Sequence, residues 1–185
     1  MSLDLTSHHM LALTRASLAA LRSALIRDAG PSAAAYLQEA GYAGGEQLFA
    51  SFGAWLATRG VEMPPEELTV EEFETHATEF FRDAGWGSIA IGSLNDALAT
   101  IDSSDWGEAD DAGTLEHPSC HMTTGMFADF FGRVADQPLA VLEVECRSTG
   151  APRCRFLIGA ADVMEHVYDE LGQGRSVEEA VEAVI

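Results

Sequence analysis

Apolar side chains recur at three- and four-residue intervals through most of the first 84 residues, the spacing of helices with one buried face. Residues 7–28 place Met10, Leu11, Leu13, Leu18, Leu21, Leu25 and Ile26 near one face and end at Gly30-Pro31, which predicts a first helix. A short Ala-rich helix follows over about 32–40, stopped by Gly41. Gly44-Gly45 opens a third, carrying Leu48, Phe49, Phe52, Trp55 and Leu56, and Pro64-Pro65 breaks the chain. Thr69 and Glu72 then have capping-box spacing, in which hydroxyl and carboxylate each satisfy an orphan amide. The fourth helix they start runs to about Asp83 and presents Phe73, His76, Phe80 and Phe81.

At Gly85 the texture changes. WGSIAIGSL and ALATIDSSDW are short β-leaning runs separated by Asn95-Asp96, the pattern of a hairpin. Residues 118–135 return to helical spacing, with Pro118 near the first turn. PLAVLEVECRS and RCRFLIGA read as two strands joined by the turn-like Thr149-Gly150-Ala151-Pro152. The last 25 residues predict two helical segments split by Gly172-Gln173-Gly174, the second with its own box from Ser176 to Glu179. The expected architecture is α+β: N-terminal helices packed on a small antiparallel sheet.

At 185 residues, 47% of them hydrophobic, the chain is long enough to bury a full core, and we expect one domain over 1–185. No stretch approaches the ~20 apolar residues of a membrane span. The start, MSLDLTSHH, lacks the basic region and apolar run of a signal peptide, so a cytoplasmic, reducing setting is expected. The formal charge of −20 comes from 30 acidic and 10 basic residues, and lysine is absent. That composition excludes a Schiff-base or P-loop lysine and disfavours direct nucleic-acid contact.

Chemistry concentrates in three cysteines, Cys120, Cys146 and Cys154, with Glu143 just before the second. Buried free cysteines are often plain core residues, and acids are frequent in this chain. The alternative is a tetrahedral Zn²⁺ site, since Cys146 and Cys154 fall on adjacent strands joined by a tight turn. Cys120 would sit in the first turn of the preceding helix, where the dipole favours a thiolate. Glu143 and Cys146 are three apart, so a regular strand would point them to opposite faces. Sharing one metal requires a bulge or strand end between them; otherwise Glu145, His117 or His121 would be the fourth ligand. Four protein ligands leave no open position, so such a zinc would be structural. Arg147, Arg153 and Arg155 are the expected counter-charges for it.

CHMTTGMFADFF, PLAVLEVECRSTGAPRCRF and the upstream SSDWGEAD together resemble the 4-vinyl reductase, or hydrocarbon-binding, domain family. The resemblance covers roughly residues 86–160; residues 1–84 fit the family layout loosely and 161–185 lie outside it as a helical tail. It implies the fold shared with Golgi transport tether subunits and haem nitric-oxide sensors: helices on an antiparallel sheet, usually dimeric, around an apolar chamber. Phenol-sensing activators in the family hold zinc with a Cys, a Glu and two further Cys in the same order, which implies Cys120, Glu143, Cys146 and Cys154 as ligands here. A relative of those activators without their ATPase and DNA-binding modules would act through a separate effector protein. Another branch is associated with bacteriochlorophyll synthesis, but this sequence has no dinucleotide fingerprint or iron–sulfur cysteine cluster.

Candidate linings for such a chamber are Phe80, Trp86, Trp106, Met126, Phe127 and Phe130, although helical aromatic stripes are more commonly core. Trp106, among Asp102, Ser103, Ser104, Asp105 and Glu108, is the least core-like of them, and His76 is a candidate for gripping a ligand hydroxyl. His8, His9 and His166 read as surface residues. The leading expectation is a zinc-stapled binding domain for a hydrophobic small molecule, non-catalytic and homodimeric. An accessory protein or vinyl reductase of tetrapyrrole metabolism is the second expectation, and a dimeric interaction scaffold the third.

Overall fold

The computed structural model describes residues 10–110, 113 and 115–184. His8, His9 and the start of the first expected helix lie outside the described residues. Five helices come first or flank the first hairpin: α1 (Arg15–Ala29), α2 (Ser32–Ala43), α3 (Gly45–Thr58), α4 (Val70–Asp83) and, after β1 (Ala90–Ser93) and β2 (Leu98–Ser103), α5 (His121–Val134). β3 (Leu139–Glu145) and β4 (Cys154–Ala160) complete the sheet, and α6 (Ala161–Gly172) and α7 (Val177–Glu182) close the chain. The four strands are antiparallel in the order β1-β2-β4-β3.

The capping boxes form as the spacing predicts: Thr69 and Ser176 each accept from the amide three residues on, and Glu72 and Glu179 accept from the cap amide. The first helix is shorter than its periodicity suggests. Thr14 caps it by accepting from the Ser17 amide, so Met10, Leu11 and Leu13 precede the helix. Its orientation also departs from expectation. α1 buries Leu18 and Arg22, whereas Leu21 is 49% exposed and Arg22 only 2%. Periodicity finds an apolar face on this helix but not the side that meets the core.

Strand alternation divides the sheet into two apolar faces. Ile101, Phe156, Ile158 and Val141 meet α3, α4 and α5 in an aromatic core built on Phe52, Phe73, Phe80, Phe81, Phe127 and Phe130. Leu98, Leu157, Ala140 and Leu142 meet Met164, Val167 and Ala180 of α6 and α7 in a second core. Helix α2 crosses α5 at two glycines. A Cβ on Gly41 would lie 2.0 Å from the Met122 carbonyl oxygen, and one on Gly125 would lie 2.0 Å from that of Gln38. The two backbones can approach this closely only without side chains at these positions.

Candidate metal centre and ligand cleft

β3 and β4 bring the cysteines together through one irregularity. Glu143 pairs with Phe156 and Glu145 with Arg155, so Val144 is an extra residue and the register shifts between 143 and 145. This is the bulge that a shared site for Glu143 and Cys146 requires. Cys146 follows β3 directly and starts a 3-10 turn, Arg147–Thr149, closed by Gly150 at φ 88° in the left-handed region. Cys154 opens β4 on the face shared with Phe156. Cys120 is the N-cap of α5 rather than part of its first turn.

The ligand atoms of Cys120, Glu143, Cys146 and Cys154 all lie within 4.8 Å of one another, and all four residues are buried. Cys120 Sγ is 3.8 Å from Cys146 Sγ and 3.9 Å from Cys154 Sγ. A tetrahedral ion with Zn–S bonds of about 2.3 Å has ligand–ligand edges of about 3.8 Å. The Cys120 amide donates to Glu143 Oε2 at 2.8 Å, while buried Glu143 Oε1 has no hydrogen-bond partner. An orphaned buried carboxylate oxygen beside three thiols fits a cation ligand. The four residues fit a divalent metal ion by donor type, number and spacing.

Electrostatics point the same way. Cys146 and Cys154 beside it, and then burial, push the Cys120 thiol well above its ordinary range, overriding the helix dipole expected to lower it. Burial, followed by the charge of Cys146, raises the Glu143 carboxyl to about 8. Contacts from Cys120 and Cys154 pull Cys146 down toward the thiolate. Such a crowd ionises together only with a cation among its members. The expected arginine counter-charges are placed elsewhere in part: Arg155 pairs with Asp102 at 2.7 Å, and Arg153 with Glu145 at 3.0 Å. That network also occupies Glu145. Main-chain and hydroxyl donors serve instead, with the Ser119 amide and Ser148 hydroxyl directed to Cys146 and the Arg147 amide to Cys154. His117 is exposed, and neither it nor His121 belongs to the four-donor group.

Beside this cluster opens a cleft of about 550 Å³, walled by segment 10–13, Leu18, Leu48, Met122 and Met126. Of the residues expected to line a chamber, Trp86 and Met126 reach it. Phe80, Phe127, Phe130 and Trp106 are fully buried and packed ring against ring, with Phe81–Phe130 at 5.2 Å and Trp106–Phe127 at 5.1 Å. The Trp106 indole N–H donates to Thr123 Oγ1 at 2.7 Å, which satisfies its polar edge within the core. His76 stands half-buried against Trp55, with ring centroids 6.3 Å apart, away from the cleft wall.

Sequence reasoning missed three polar residues around these sites. Glu108 accepts from the Met122 amide at 3.0 Å and the Thr123 amide at 2.7 Å, capping α5 from outside the helix. Arg22 donates to the Glu108 carbonyl, and Arg15 reaches Gly85 O and Asp105 O. The absence of any acid in the first turn of α5 was the available signal for a distant cap.

Residues 104–160 match the family model of the 4-vinyl reductase domain. No curated protein matches the sequence significantly. The phenol-responsive sensory domain of the transcription activator PoxR, solved with phenol, superposes with a TM-score of 0.68 at 18% identity, covering 90% of this chain and 84% of its own. Trafficking protein particle complex subunit 3 from Naegleria fowleri, covalently bound to palmitic acid, gives a TM-score of 0.52 at 10% identity, covering 78% of this chain and 91% of its own. A vinyl-4-reductase family protein from Methanocaldococcus jannaschii gives 0.41 at 21% identity over 65% and 90%. Residues 104–160 are therefore a 4-vinyl reductase domain, in a chain that folds as the phenol-responsive and trafficking-subunit structures do.

Proposed function

We propose that this protein is a zinc-stapled binding domain for a hydrophobic small molecule, sensing or carrying it rather than transforming it. The observation that carries the reading is an apolar cleft of about 550 Å³ beside a closed cluster of three cysteines and a glutamate. Its volume lies within the ~300–1,000 Å³ range of small-molecule sites. The similar sensory domain is phenol-responsive, which supports the same class of role. In this reading Cys120, Glu143, Cys146 and Cys154 hold Zn²⁺, and bound zinc supplies cross-linking rather than chemistry because no ligand position is left open. Three free thiols in such a site suit a reducing compartment such as the cytoplasm.

Gly44 offers a direct test of the cleft. A Cβ there would lie 3.6 Å from the nearest atom, the Gly41 carbonyl oxygen, so Gly44→Phe should fill the cavity without a backbone collision. Titration with phenol and 1-decanol, followed by tryptophan fluorescence, should show saturable binding that Gly44→Phe weakens at least about tenfold. Equal binding by both proteins would remove the cleft from the reading. Metal analysis should find one zinc per chain and almost none in Cys146→Ser.

We further infer a homodimer that packs on the outer face of α1. Leu11, Leu13, Leu21, Ile26, Tyr36 and Tyr42 are exposed in this one region. Residues 5–27 contain no acid in a chain carrying 30. Two copies of charge −20 can approach there without placing carboxylates against each other. A separate effector would read the occupied dimer.

A further inference from the structure

We propose that the ligand of the cleft is an amphiphile with an apolar tail and a carboxylate head, and that Arg15 receives the head. The inference rests on the cleft being the binding site. Arg15 stands on the wall of an otherwise largely apolar cavity. Its guanidinium is fixed by the carbonyls of two separate loops: Gly85 O accepts from Nη2 at 2.9 Å and from Nε at 3.3 Å, and Asp105 O accepts from Nη1 at 3.4 Å. Gly107 makes room for it, since a Cβ there would fall 2.9 Å from Arg15 Nε.

The charge accounting sets this arginine apart. Acids outnumber arginines 30 to 10, and Arg59, Arg133, Arg153, Arg155 and Arg175 each sit in an ion pair with a carboxylate. Arg15 has no ion pair among the described residues. Asp83 is the acid on the described cleft wall, and it is taken by Arg59 at 3.1 Å and by the Trp55 indole N–H at 3.1 Å. The Asp105 carboxylate is likewise engaged, accepting the Ser88 amide at 2.8 Å. A guanidinium has five N–H donors, and three are used here, so donors remain for one carboxylate. The net charge of −20 repels anions at range, but screening over about 8 Å leaves the local guanidinium dominant inside the cleft.

The test compares decanoate with 1-decanol at pH 7.5, using calorimetry and the fluorescence of Trp86 on the cleft wall. The expected result is decanoate binding about tenfold tighter than decanol, equivalent to about 1.4 kcal/mol. Arg15→Gln should abolish that preference while leaving decanol binding unchanged, and Arg15→Lys should restore part of it. Equal affinities for the two probes in the unmodified protein would overturn the carboxylate assignment and leave the cleft as a neutral binding site. A preference that survives Arg15→Gln with decanol binding intact would overturn the role of Arg15. Failure of both probes to bind would remove the cleft reading and this inference together.

Discussion

Glu143 concentrates the chemistry of the metal centre in one side chain. One oxygen is held by the Cys120 amide and the other has no partner, while burial and the neighbouring Cys146 raise its carboxyl to about 8. In the metal-free protein a pKa above the ordinary 4.5 means that the folded state keeps a proton the unfolded state has released. Its contribution to stability is therefore full below about 4.5 and lost as pH rises through about 8. Chelator-treated protein should show a lower guanidinium midpoint at pH 8 than at pH 5.5, and Glu143→Gln should flatten that slope. Zinc-loaded protein should lose metal as pH falls, because its ligands must be deprotonated to bind. A melting temperature unchanged by chelator at neutral pH would refute the staple; at a thousandfold excess over Kd the metal contributes about 4 kcal/mol. The four donors were legible in the chain because their order and the three-residue offset demanded a bulge that the structure contains. Glu108 and Arg15 were not legible, because their partners lie 14 and 70 residues away and no local spacing encodes them.

Individual elements were easiest to read where signals were local and hardest where packing decided the outcome. The boxes at Thr69 and Ser176 and the hairpin around Asn95-Asp96 follow directly from adjacent residues. The inward face of α1 does not, since an arginine is buried there while leucines face outward. The α2–α5 crossing was equally hidden, because a helical glycine announces a close approach without naming its partner. Gly125→Ala would push a methyl group to 2.0 Å from the Gln38 carbonyl oxygen, so the helices must separate. Overpacking of this kind costs about 1–3 kcal/mol or more, and urea denaturation should place Gly125→Ala at or above the upper end. Gly172→Ala, with nothing within 4 Å of the new methyl, is the matched control and should leave stability within about 0.5 kcal/mol.

Across the whole molecule, charge and apolar surface are distributed unevenly, and that sets how copies meet. With residues 5–27 free of acid and the apolar side chains of α1 facing outward, sedimentation equilibrium should show a dimer. Leu21→Glu with Ile26→Glu should give monomers whose melting temperature is little changed, since both side chains are already exposed. A dimer that persists in the double variant would move the interface elsewhere. No described helix is long and apolar enough to cross a membrane.

The bulge at Val144 has a consequence beyond metal binding. β3 is an edge strand, and its apolar run over residues 139–144 would otherwise offer a straight template to another chain. By turning Glu143 inward toward the cysteines, the extra residue also breaks the even spacing that a docking strand needs. Deleting Val144 would therefore do more than scatter the ligands: it would leave a regular, sticky sheet margin, and the variant should accumulate as aggregate rather than as a soluble metal-free fold.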